Sequence, residues 1–284
     1  MSGISLGRVT TQLVFARALG YPLALTNSIV VARVLGVDRL GAYAYTLGIA
    51  GLFALLPNMG FSTVVTRTLA RDREGGAGVV PSAVRAQVVV AGVVFLVIPA
   101  FAALLPEQPV ALAWVTLAAA QLAIGTLSWP YLAVLAGHAR YDRVAVAELL
   151  SGVAGTAAVL AAAILRGDVA AFLWAHVAAA AAAVAVARVA AAPLLPKRGA
   201  PPRPLAALFR ESVSFGATAA VQSFYTRVDI LLLGQMASAV AVGLYSAAYK
   251  PINLLAHLGT TGAGTLFPLL AQWPGTGPLR SFER

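Results

Sequence analysis

The chain has 284 residues, of which 60% are hydrophobic and only 11% charged, with a formal net charge of +10. A soluble domain is about half apolar and a quarter charged, so this composition excludes a water-soluble protein and indicates an integral membrane protein. The basic balance does not indicate nucleic acid, because no soluble segment interleaves basic and aromatic residues; cations gathered in loops on one side of a membrane account for it.

Spans of about 20 mostly apolar residues are expected for helices that cross a bilayer. In chain order the candidates run over residues 9–34, 40–69, 81–105, 109–136, 144–165, 169–192, 212–235 and 240–270. The first span follows Arg8 without a small-residue cleavage site, so it is expected to act as its own uncleaved signal. Tight turns separate later spans at Pro106-Glu107-Gln108-Pro109 and at Arg166-Gly167-Asp168. The fold class expected is therefore all-α: a polytopic helix bundle of about eight transmembrane helices.

Basic residues give the orientation. Arg71, Arg73 and Arg85 follow span two, Arg140 and Arg143 follow span four, and Lys197, Arg198, Arg203 and Arg210 follow span six. The opposite loops are nearly bare of net positive charge, so the positive-inside rule predicts a cytoplasmic N-terminus in a multi-pass cytoplasmic (inner) membrane protein. The stretch from Pro193 to Glu211 is Pro-rich and basic, the composition of a stiff linker, and Leu205 to Arg210 could form a short interfacial helix. It divides the chain into an N-terminal six-helix lobe over 1–193, a cytoplasmic linker over 194–211 and the start of a second lobe over 212–284. A repeat supports the division: Leu35-Gly36 with Gly41-Ala42-Tyr43 returns as Leu233-Gly234 with Gly243-Leu244-Tyr245.

Ionisable residues inside spans cost roughly 2.5–3.5 kcal/mol on insertion scales and usually face a bundle interior or a watery cavity. Arg17 falls near the middle of span one, Arg227 and Asp229 inside span seven, and Lys250 near the middle of span eight. Asp229 and Lys250 lie at depths about 7 Å apart by helical rise, close enough for an ion pair that either fixes helix packing or lines a polar cavity. Arg33 marks the outer end of span one, while Arg67, Arg188 and Glu148 lie near cytoplasmic ends, where snorkelling explains them. Pro22 with Asn27 one turn on, Pro57 with Asn58, Pro99, Pro130 and Pro251 are kink candidates, and Pro22, Asn27, Pro57 and Pro251 are the gating candidates among them.

Cysteine is absent, which removes disulfides, thiolate metal sites and thiol nucleophiles. His138, His176 and His257 stand apart in sequence without metal-ligand spacing. No phosphate-binding Gly-rich loop, no Gly-x-Ser-x-Gly and no acidic pair inside a span is present, so neither an enzyme nor a metal or organic cofactor is expected.

The run Val31-Ala32-Arg33-Val34-Leu35-Gly36, then Gly41-Ala42-Tyr43, Leu56-Pro57-Asn58-Met59-Gly60-Phe61 and Thr66-Arg67, resembles the opening of polysaccharide flippases. These are the O-antigen and exopolysaccharide exporters of the multidrug/oligosaccharidyl-lipid/polysaccharide superfamily. Arg227-Val228-Asp229 with Ile230-Leu231-Leu232-Leu233-Gly234, then Val242-Gly243-Leu244-Tyr245 and Ala248-Tyr249-Lys250, resembles the start of their second lobe. The resemblance implies two six-helix lobes around a central cavity, alternating access, and a polyprenyl-pyrophosphate-linked oligosaccharide as cargo. It implies Arg17, Arg33, Arg227 and Lys250 as cationic cavity residues, with Asp229 as their partner or as a proton carrier, and transport coupled to H+ or Na+. Its partners would be the lipid-linked oligosaccharide, membrane lipids, a polysaccharide polymerase and glycosyltransferases, with no nucleic acid. Members usually have twelve or more spans, so truncation after the second helix of lobe two is expected here. A multidrug or metabolite exporter of the same superfamily is the alternative within transport, although Glu148 is the sole carboxylate in spans one to six. A non-transporting remnant is the other alternative.

Overall fold

The computed structural model describes residues 6–54, 57, 60–72, 76, 78–105, 110–195, 202–212, 228–237, 241–249 and 252, with backbone placement alone for 6–19, Tyr21 and Leu231. The described residues are helical throughout, connected by short turns. The helices are α1 (Leu6–Leu52), α2 (Phe61–Arg71), α3 (Val79–Ala103), α4 (Leu112–Thr126), α5 (Trp129–Gly137), α6 (Tyr141–Leu165) and α7 (Val169–Ala191), which ends in a 3₁₀ turn at Ala192–Leu194. They are followed by α8 (205–212), α9 (Val228–Met236) and α10 (241–249). Four helical stretches among the described residues are long and apolar enough to cross a membrane: Val79–Ala103, Leu112–Gly137, Tyr141–Leu165 and Val169–Leu194. They coincide with the expected third to sixth spans.

The break between the first two spans falls in the expected gap between residues 34 and 40, but without a loop. They form one helical run, α1, broken only at Gly36, whose φ of 69° and ψ of 178° are non-helical. The contacts on either side show that the chain reverses there. Before the break, Leu23 lies against Gly152 of α6, and Val34 against Gly167 just beyond the end of α6, so this segment runs parallel to α6. After it, Tyr43 packs on Phe172 and His176 near the start of α7, so the second segment descends beside α7. Pro22 lies within α1 without interrupting its helical assignment.

Span two, expected over 40–69, is not a single helix. Helix α1 stops at Leu52, and α2 starts at Phe61 after Gly60. Pro57 accounts for the interruption, since it offers no N–H and its ring disfavours a helical residue before it. Its carbonyl accepts a hydrogen bond of 3.2 Å from Gln87 Nε2 of α3, a buried side chain that serves the broken segment.

Span four bends rather than breaks. Leu127 and Ser128 join α4 to α5 with tightened bonds to Ile124 and Gly125. Pro130 cannot donate to the carbonyl one turn back. Nearby hydroxyls return to the loosened backbone: Thr126 Oγ1 donates to the Ala123 carbonyl at 2.8 Å, and Ser128 Oγ to Gly125 at 2.7 Å. In a bilayer core such local partners replace the missing water. Pro99, by contrast, sits inside an uninterrupted α3.

Helix α7 is capped at its start by Asp168, whose carboxylate accepts from the Ala171 N–H at 2.7 Å. The core lies where α6, α7 and α4 meet α1, with Phe172, Leu173, Val115 and Ala119 fully buried. Small residues permit this closeness, since membrane helices associate through packing rather than hydrophobic exclusion.

The end of the Pro-rich segment folds as the short helix anticipated there. Ser82 Oγ donates to the Arg203 carbonyl at 2.9 Å, Leu208 is buried, and Phe209 meets Phe61 edge to face at 5.0 Å. Helix α8 is thus held on α2 and the start of α3.

A side chain at Gly36 would strain the reversal. Gly36→Val is expected to destabilise the fold by about 1–3 kcal/mol, whereas Gly20→Ala, inside α1 and facing open space, is neutral or stabilising by a few tenths. Thermal unfolding in detergent, followed by circular dichroism, separates the two.

Candidate functional site

The two copies of the Gly-x-Tyr motif meet. The second segment of α1 packs on α9 and on the start of α10, and glycines set the distance. A Cβ built at Gly234 of α9 would lie 2.0 Å from the Tyr45 ring, and one at Gly243 of α10 would lie 2.6 Å from the Val37 carbonyl oxygen. Ile230 lies against Gly48 one turn lower. Gln235 Nε2 donates to the Tyr45 hydroxyl at 2.6 Å across this seam. Ile230 meets Gly48, and Gly234 meets Tyr45, so α9 runs antiparallel to the second segment of α1.

Each repeated tyrosine engages an ionisable partner. The Tyr43 hydroxyl lies 2.5 Å from His176 Nε2, and the two rings stack at 5.9 Å. His176, isolated in the sequence, is thus paired within the fold. The Tyr245 hydroxyl donates to the Asp229 carboxylate, and Tyr245 stacks on Tyr249 one turn on, with ring centroids 5.1 Å apart. The other Asp229 oxygen accepts from the Ile230 N–H at 2.8 Å. Asp229 therefore sits in the first turn of α9, where the helix dipole favours a negative charge.

The predicted site residues fall as follows. Asp229 is half-buried and bonded to Tyr245; the ion pairs expected with Arg227 or Lys250 involve residues outside those described, as does Pro251. Arg33 is exposed on α1, one turn before Gly36. The backbone of Arg17 lies in α1, and its side chain is outside the description. Pro22 is exposed, Asn27 is half-buried with a buried Oδ1 that has no partner among the described residues, and Pro57 is buried in the interruption before α2. Among the described residues no group of three or more His, Cys, Asp or Glu is placed to hold a metal.

Sequence reasoning missed Gln235, Tyr45, Tyr249 and Gln87. Polar residues inside apolar runs were the available signal, but their partners lie up to 190 residues away. No single sequence shows that pairing.

This fold is that of the multi-pass transporters of the multidrug/oligosaccharidyl-lipid/polysaccharide (MOP) superfamily. A MOP superfamily transporter from Pyrococcus furiosus, for which a reversed polarity of the binding pocket suggests a different function, aligns with a TM-score of 0.62 at 16% identity, over 92% of this chain and 64% of that one. A multidrug resistance MATE family transporter in an inward-facing conformation aligns at 0.59 and 17%, over 88% and 58%. A structure described as protein A aligns at 0.66 and 13%, over 95% and 66%. This chain thus spans less than two thirds of the length of each of these structures. The family model "Polysaccharide biosynthesis protein" matches residues 6–273, and the chain belongs to that family. Comparison with curated proteins gives no significant match.

Gly234→Ala is expected to destabilise the protein by about 1–3 kcal/mol through overpacking against Tyr45. Tyr45→Ala in the same chain should recover part of that loss. A double-mutant cycle in detergent unfolding measures the coupling, and purely additive effects would place the clash elsewhere.

Proposed function

We propose that this protein serves as a flippase for polyprenyl-pyrophosphate-linked oligosaccharide, moving it from the inner to the outer leaflet of the cytoplasmic membrane for polysaccharide export. The observation that carries the proposal is the family match over nearly the whole chain, on a transporter fold. The chemistry is consistent with it. A pyrophosphate diester crossing a bilayer needs fixed cations, and guanidinium groups offer forked donors while staying charged. Arg17, Arg33, Arg227 and Lys250 are the candidates to hold it, with Asp229 as their counter-charge or as the carrier of a coupling H+ or Na+.

In this proposal residues 1–193 form a first lobe, 194–211 a cytoplasmic linker and 212–284 the start of a second lobe, with the N-terminus in the cytoplasm. The cavity opens and closes as one lobe rocks against the other, and the α1 seam with α9 and α10 lies between them. The likeness to a MATE transporter keeps a multidrug exporter as the second reading, but the sparse carboxylates of spans one to six favour an anionic cargo.

In cells where the protein supports polysaccharide export, Arg17→Ala, Arg227→Ala and Lys250→Ala are each expected to lower surface polymer about tenfold or more, the scale of one lost charge-assisted contact. Membrane levels of each variant, read by immunoblot, control for folding. Unchanged export in all three would remove the cationic cavity from the mechanism.

A further inference from the structure

A separate cavity lies within the first seven helices. Helices α2, α5 and α6 line an open groove of about 250 Å³ whose walls include Ser62, Thr66, Trp129, Leu132 and Tyr141. It opens where two spans end, beside Gly137 of one and Tyr141 of the next, and that end is the one the charge bias assigns to the cytoplasm. Trp129 lies eight residues before Gly137, so the groove reaches about 12 Å inward by helical rise.

Three features of the lining define a ligand. First, no lining residue is charged, so the groove is not built for phosphate or for a cation. Second, it combines aromatic rings with hydroxyls. Thr66 Oγ1 donates to the Ala133 carbonyl at 3.3 Å, which ties α2 to α5 and leaves the Thr66 oxygen able to accept. Third, the Ser62 hydroxyl, the Trp129 indole N–H and the Tyr141 hydroxyl form no hydrogen bond among the described residues. An acyl chain in this groove would offer a partner to none of the three. A pyranose ring has the complementary surface: a C–H face for an aromatic ring and hydroxyls around its edge. The volume lies just below the roughly 300–1,000 Å³ of pockets for drug-sized ligands and suits a single ring.

We propose that the groove between α2, α5 and α6 binds one neutral sugar ring, stacked on Trp129 or Tyr141 and hydrogen-bonded by Ser62 and Thr66. This inference rests on the lipid-linked-oligosaccharide reading and deepens it. Recognition of the cargo then has two parts: cations for the pyrophosphate and an uncharged aromatic groove for a sugar of the glycan. Both α2 and α5 start at breaks in the chain, α2 after Gly60 and α5 after the bend at Ser128. The groove therefore exists because spans two and four are not straight.

The test uses the full chain in detergent with Trp114, Trp174 and Trp273 changed to Phe, which leaves Trp129 as the only tryptophan. It is titrated with glucose, galactose, rhamnose and N-acetylglucosamine, each to about 100 mM, because one ring held by a few hydrogen bonds binds in the millimolar range. At least one sugar is expected to shift Trp129 emission saturably to shorter wavelength. Ser62→Ala should weaken that binding about fivefold, the loss of one hydrogen bond. No saturable response to any of the four overturns the proposal. So does strong quenching by brominated phospholipid that no sugar reduces, since lipid then fills the groove. If the triple Phe variant does not fold, calorimetric titration of the unaltered protein and of Trp129→Ala with the same sugars decides the matter in its place. Farnesyl pyrophosphate, which carries no sugar, is titrated alongside. If it binds and the sugars do not, the groove proposal falls and the flippase reading stands. If the sugars bind and it does not, the groove stands and the lipid-pyrophosphate reading falls.

Discussion

The reversal at Gly36 requires a backbone conformation, φ 69° and ψ 178°, that is essentially open to glycine alone. The packing of α1 on every neighbour follows from it. The segment before Gly36 can lie along α6 only because the segment after it can turn back at once along α7. A longer connection would move Tyr43 off His176 and shift the face that meets α9. Gly36 is the structural condition for one half of the repeated motif, whereas Gly234, its counterpart in the second copy, lies inside α9 and matters for the space it leaves to the Tyr45 ring. The same residue type serves two unrelated physical purposes.

Lipid surroundings impose a second rule. At the interruptions of spans two and four, a side chain stands close to the loosened backbone. Gln87 reaches the Pro57 carbonyl, and Thr126 and Ser128 turn to their own helix beside Pro130. These groups carry no charge and are not at the seam between the motif copies, yet they allow broken helices to exist at membrane depth. The kinks and the polar residues of such a protein are therefore best understood together.

Much of this was legible in the sequence. The third, fifth and sixth spans are long, uniformly apolar and bounded by strong turn signals, and the observed helices follow them within a few residues. The short helix at the end of the Pro-rich segment, expected over Leu205 to Arg210, is observed over 205–212. Span two was misjudged because hydropathy averages over a window and does not register an interruption inside an apolar run. The candidate site was legible only as isolated residues. Asp229 stood out as a charge in an apolar run, but its partner Tyr245 is on another helix, and Tyr43 with His176 is separated by 133 residues. The lining around Trp129 comes from three helices and holds no charged residue, so the groove gave no signal in the sequence.

The docking of α8 also bears on how the chain is made. Helix α8 follows α1–α7 in sequence and precedes α9, and it covers Phe61 of α2 while Arg203 binds Ser82 of α3. Domains fold in the order of their synthesis, N-terminal first. When α8 emerges, the surface it covers is already present, so the first seven helices can be sealed before α9 has fully emerged. The second copy of the motif then meets a finished surface rather than a partly built one. Pairing of α9 with the wrong face of α1, the characteristic error of a chain with internal repeats, is thereby disfavoured during biosynthesis.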